Sequence, residues 1–135
     1  MASEFHVLSA LYRLGLEPML TLGNKKGVDI YLPQEGAEMI SVEVKAVAKK
    51  MDWMFGNSPF IASPKKWVVL LCYNGAFDDL SDAPDAWVVP SREIAKMLKT
   101  AGNGTTRYLS GKEVRAVLGR FHRQSGWTQL CEASV

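Results

Sequence analysis

The stretch Trp67-Val68-Val69-Leu70-Leu71-Cys72-Tyr73 carries no charge and no turn-forming residue. A strand with one wet face alternates apolar and polar residues, so an unbroken run of this kind reads as a strand covered on both sides. The rest of the chain must supply that cover. An amphipathic helix from about Ser3 to Leu14 offers Val7, Leu8, Leu11 and Leu14 on one face, with Gly15 at its exit. Met19 to Leu22 reads as a first strand. Trp87-Val88-Val89 reads as a short later strand ended by Pro90, with Ser91 as the cap of a helix through about Leu98. Ser110-Gly111-Lys112-Glu113 has the spacing of a capping box, which predicts a C-terminal helix over residues 110–123. The expected architecture is therefore α/β, with a mixed four- or five-stranded central sheet flanked by helices in a single domain over residues 1–135. A hydrophobic content of 47% with 22% charged residues fits one globule of that size. No window approaches the roughly 18 apolar residues of a membrane span, and the amino terminus lacks a leader pattern, so a cytoplasmic location is expected.

Two further strands carry charges where strands are usually apolar. Gly27-Val28-Asp29-Ile30-Tyr31-Leu32 holds Asp29, and Ile40-Ser41-Val42-Glu43-Val44-Lys45-Ala46 holds Glu43 and Lys45. Period 2 puts Ile40, Val42 and Val44 on one side of the second strand and Ser41, Glu43 and Lys45 on the other. Pro33-Gln34-Glu35-Gly36-Ala37 reads as a turn, so Val28 to Leu32 and Met39 to Val47 pair as an antiparallel hairpin that brings Asp29 towards Glu43. Neighbouring carboxylates repel unless a proton or cation lies between them, and an oxygen-seeking ion such as Mg2+, or Mn2+ in its place, suits the pair. Lys45 then stands one step further along the same face, able to hold a water or meet charge on a phosphate oxygen. The plainer alternative is a solvated hairpin face with Glu43 and Lys45 as surface charges.

This order of residues resembles the PD-(D/E)XK nuclease superfamily, the restriction-endonuclease-like fold, and in particular its small Holliday-junction-resolvase-like or homing-endonuclease-like members. Over roughly the first 90 residues, the resemblance implies Asp29 as the metal-binding aspartate, Glu43 as the second acidic ligand and Lys45 as the lysine. It also implies the Val44 backbone carbonyl as a ligand, and Glu4 as the accessory glutamate of the first helix. Val28 stands where the family name has proline. The implied activity is Mg2+-dependent hydrolysis of DNA phosphodiester bonds by an endonuclease with no organic cofactor and no membrane association. Two other readings stay open: a noncatalytic nucleic-acid-binding module on the same fold, and a structural or protein-interaction protein.

Residues suited to nucleic acid lie around this motif. Lys25 and Lys26 sit in a glycine-bounded turn without the Lys-Ser or Lys-Thr of a phosphate loop. Lys49, Lys50 and Trp53 follow the hairpin, where lysines meet phosphates and an aromatic ring stacks on a base or, alternatively, packs under a loop. Lys112 and Arg120 belong to a region, Arg92 to Arg123, holding eight lysines or arginines against two acids. Residues 74–86 form an acidic loop with Asp78, Asp79, Asp82 and Asp85. Cys72 and Cys131 lack metal-ligand spacing and read as buried thiols, His6 as a packing residue, and Trp127 as an anchor for the carboxyl-terminal segment. A homodimer is expected, because one small nuclease has little room to reach both strands of a duplex.

Overall fold

A computed structural model describes residues 1–21 and 27–134. In chain order its elements are α1 (Ala2–Arg13), β1 (Met19–Leu20), β2 (Ile30–Gln34), β3 (Ala37–Val47), β4 (Trp53–Gly56), β5 (Lys66–Cys72), β6 (Asp85–Pro90), α2 (Ser91–Met97), β7 (Lys99–Thr100), β8 (Arg107–Leu109), α3 (Gly111–Val117), a 3-10 turn (Gly119–Phe121) and α4 (Gln124–Ala133). The central sheet has the order β1-β2-β3-β5-β6 and is mixed: β3 and β5 run parallel, and the other neighbours are antiparallel. The apolar run forms β5, buried from Trp67 to Cys72 between β3 and β6.

One face of the sheet is covered by α1 and α4. Val7, Leu11 and Leu130 meet Ile30, Leu32, Ile40, Val42, Val44, Val69, Leu71 and Val88 there, and Trp127 packs against them as the expected anchor. The other face is divided. Over β5 and β6 it carries a second apolar cluster, in which Val68, Leu70 and Val89 meet Trp53, Ile94, Leu109, Val114, Leu118 and Phe121. Over β2 and β3 the same face presents Ser41, Glu43 and Lys45, because the parallel register sets Ser41 beside Lys66, Glu43 beside Val68 and Lys45 beside Leu70. The strand that supplies apolar residues to the first face therefore supplies a polar groove to the second.

Four expectations need correction. The hairpin pairs as expected, Ile30 with Val42 and Leu32 with Ile40, but β2 begins at Ile30, so Asp29 stands at its mouth. Pro33 has no N–H to give to the ladder, and the register slips between Leu32 and Gln34. Ser91 does not cap α2: it is fully buried as the first helical residue, and its hydroxyl donates to the Ser63 carbonyl at 2.8 Å and accepts from the Ser63 N–H at 2.9 Å. The helix expected over 110–123 stops at Val117, although Ser110 does cap it by accepting from the Glu113 N–H. Its polypeptide turns through Gly119–Phe121 and Arg123, at φ 56°, before α4 begins. Gly126 allows this turn, since a Cβ there would overlap the Phe121 carbonyl. Finally, the one expected sheet is joined by a second, in which β4, β8 and β7 pair as three antiparallel strands.

Candidate active site

Extending the register that sets Ile30 opposite Val42 by one residue places Asp29 opposite Glu43. The Asp29 N–H donates to the Val42 carbonyl at 2.9 Å, and its Oδ2 accepts from the Val44 N–H at 2.7 Å, so the aspartate caps the point where β2 leaves β3. Thr21 fastens the approach, its hydroxyl donating to the Val28 carbonyl at 2.9 Å. The carboxyl group of Asp29 is pushed above the ordinary carboxylate range. Burial is the main cause, the Val44 hydrogen bond opposes it, the charges of Glu4 and Glu43 add to it, and Lys45 works against it. Glu4, Asp29, Glu43 and Lys45 thus share one electrostatic neighbourhood. Glu4 also lies 2.8 Å from the amino group of Met1.

Glu43 is 6% exposed, and each of its oxygens meets a lysine. Lys45 Nζ is 3.2 Å from Oε2, and Lys66 Nζ, from the start of β5, is 3.2 Å from Oε1. Both ammonium groups rest on aromatic rings, Lys45 at 5.2 Å from the Phe55 centroid and Lys66 at 4.5 Å from that of Phe60. The two rings touch edge to face at 5.6 Å. Gly27 closes the opposite side, where a Cβ would fall 3.1 Å from Lys66 Nζ and 3.3 Å from Glu43 Oε1.

Lys66, Phe55 and Phe60 are the site residues that the motif does not mark. The available signal for Lys66 was parity, because period 2 counted back from Val68 puts it on the face of Glu43. Among the described residues, no three His, Cys, Asp or Glu side chains converge as a metal cluster. Mg2+, however, commonly takes only one or two carboxylates and keeps several waters, so the crowded Asp29 and Glu43 pair fits that ion.

The other residues expected to meet nucleic acid divide. Lys49 and Lys50 are exposed just beyond the end of β3, near the groove in sequence. Lys112 is exposed on α3. Lys25 and Lys26 lie outside the described residues. Arg120 pairs with Glu93 of α2 at 3.1 Å and lies over the Phe121 ring, so its charge is partly used within the fold. Trp53 cannot stack on a base: it is 0% exposed, its Nε1–H donates to the Leu71 carbonyl at 3.1 Å, and its ring meets Trp87 edge to face at 5.7 Å. Arg115, another cation of the 92–123 region, holds its guanidinium 5.7 Å from the Trp53 ring and 5.4 Å from that of Trp87. Two surface clefts, of ≈ 610 Å3 beside His6, Arg13 and Trp127 and ≈ 810 Å3 beside Arg92, Glu93 and Arg120, lie away from Asp29 and Glu43. Neither cleft is lined by Asp29, Glu43, Lys45 or Lys66.

The fold these strands define is shared with a solved bacterial homing endonuclease. That structure is I-Ssp6803I, which matches over 98% of this chain and 88% of its own with a TM-score of 0.56 and 14% sequence identity. At such identity the likeness shows the fold. No family model and no curated protein matches the chain. Among the described residues, no helix is long and apolar enough to cross a membrane.

Proposed function

We propose that the chain is a Mg2+-dependent endonuclease that hydrolyses DNA phosphodiester bonds as a member of the PD-(D/E)XK superfamily. The observation that carries this reading is the placement of Asp29 against Glu43 across the β2–β3 register, with Lys45 on the same face. The fold shared with a homing endonuclease supports the reaction class. Asp29 and Glu43 would hold the ion, joined by the Val44 carbonyl and Glu4. When bound, the ion would polarise the scissile phosphate and lower the pKa of a coordinated water. Lys45, already at the groove through Glu43 and Phe55, orients that water or meets charge developing on a phosphate oxygen. Lys49 and Lys50 continue the cationic edge for the phosphate backbone, and a homodimer presents one groove to each strand.

The test is cleavage of linear, supercoiled and branched DNA with Mg2+, in the parent and in Lys45→Met. The substitution keeps the aliphatic stem and the two carboxylates, so metal affinity should change little while the maximal rate falls about a hundredfold. Parental rates in folded Lys45→Met at saturating metal and DNA would remove Lys45 from the reaction. A noncatalytic nucleic-acid-binding module is favoured instead by the two lysines that neutralise Glu43. That reading expects salt-sensitive binding without metal-dependent nicks or breaks on any of the three DNA forms.

A further inference from the structure

Glu43 carries two cations, and only Lys45 belongs to the motif. Lys66 reaches the carboxylate from the neighbouring strand, on the face shared by Ser41, Glu43 and Lys45. An exposed lysine gains little from an ion pair and moves freely. This one is held on several sides: its side chain is 15% exposed, the carboxylate lies at 3.2 Å, the Phe60 ring at 4.5 Å, and a Cβ on Gly27 would come within 3.1 Å of its ammonium. Gly27 has a left-handed φ of 74°, which a residue with a side chain adopts only under strain. One Glu43 oxygen therefore faces Lys45 and the other faces Lys66, so a divalent ion that reaches Glu43 meets an ammonium at either oxygen.

We propose that Lys66 is a second lysine of the reactive centre, pairing with Glu43 Oε1 until a divalent cation takes that oxygen and then pairing with a phosphate oxygen of the substrate. This rests on the endonuclease reading. The ion and the ammonium repel across the carboxylate they share, so cation binding weakens the Lys66 pair, and the arriving phosphate is the anion that replaces Glu43 as its partner. Lysine suits this exchange because its ammonium is a compact charge on a flexible stem, and the Phe60 face remains beside it in both positions. Lys66 stays protonated throughout and transfers no proton.

The consequence is a change of opposite sign in two measurements. In Lys66→Met, calorimetric titration with Mg2+ or Mn2+ in the absence of DNA should show binding tightened by about threefold or more, since the competing cation is gone. Binding of a short DNA duplex, followed by anisotropy with Ca2+ present, should weaken and lose about one unit of salt slope, yet stay at the parental level in chelator. Lys66→Arg keeps the charge and should stay close to the parent in both measurements. If the methionine variant does not fold, Lys66→Gln takes its place. Unchanged or weaker cation binding in the folded variant overturns the proposal, as does an equal loss of DNA binding with and without Ca2+. Neither readout needs cleavage, so a parent that never cuts DNA would sink the endonuclease reading while these titrations still decide what Lys66 does.

Discussion

At the scale of single residues, the charge of Asp29 is costly to keep in the folded chain. Its folded pKa lies above the ordinary value of 3.8, first through burial and then through Glu4 and Glu43. Across the window between those two values the folded chain holds a proton that the unfolded chain has released, so stability falls as pH rises through it and stays lower above it. Asp29→Asn still offers an oxygen to the Val44 N–H but carries no charge. In metal-free buffer near pH 7 the variant should melt a few degrees above the parent, a gain kept small because the site is half open to water. The difference should vanish well below pH 4, and Mg2+ should raise the parent alone. Thermal melts across pH, with chelator and with Mg2+, check this, and a variant less stable than the parent at pH 7 would mean that Lys45 and Val44 outweigh the crowding. Asp29, Glu43 and Lys45 were legible because a period of 2 and one turn are enough to pair them. Lys66 was not, because its place depends on which strand lies next to β3.

Among the elements, strands and helices with a strong single period were read correctly, and those shaped by contacts elsewhere were missed. α1 and the β2–β3 hairpin announce themselves by spacing and turn residues, and β5 by its unbroken apolar run. Trp53 to Gly56 gives no such signal, because four residues with one buried indole look the same in a loop and in an edge strand. What makes β4 a strand is distant: Trp53 pairs with Leu109, donates to Leu71 and meets Trp87. The break after Val117 was equally hidden. It is held by Asp85, which accepts from Arg123 at 3.1 Å and lies 2.7 Å from His122, and by the Arg123 N–H on the Ala86 carbonyl. Trp53 should therefore behave as the bolt between the two sheets. Trp53→Ala is expected to cost about 3–5 kcal/mol in urea unfolding and to loosen Phe55 over Lys45 as well. A loss below about 1 kcal/mol would show that β4 docks without its indole.

For the whole molecule, the decisive feature is that the polar groove lies on one face of one sheet. The second apolar cluster covers that face over β5, β6 and the Val47 end of β3, and Phe55 of the extra sheet reaches Lys45 at its border. A single such groove can approach one strand of a duplex at a time, while the opposite strand runs antiparallel on the far side of the helix. A two-fold pair of chains matches that symmetry and gives each strand its own Asp29 and Glu43. Trp53 is not available to join the copies, since it is fully enclosed within its own chain. The expected species is therefore a homodimer of twice 14.9 kDa, seen by light scattering in the free protein or once DNA is added. Double-strand breaks should then follow nicks closely at protein concentrations that support pairing, and nicks alone should persist on dilution. A monodisperse monomer with and without DNA, making double-strand breaks at a rate independent of dilution, would show that one groove serves both strands in turn.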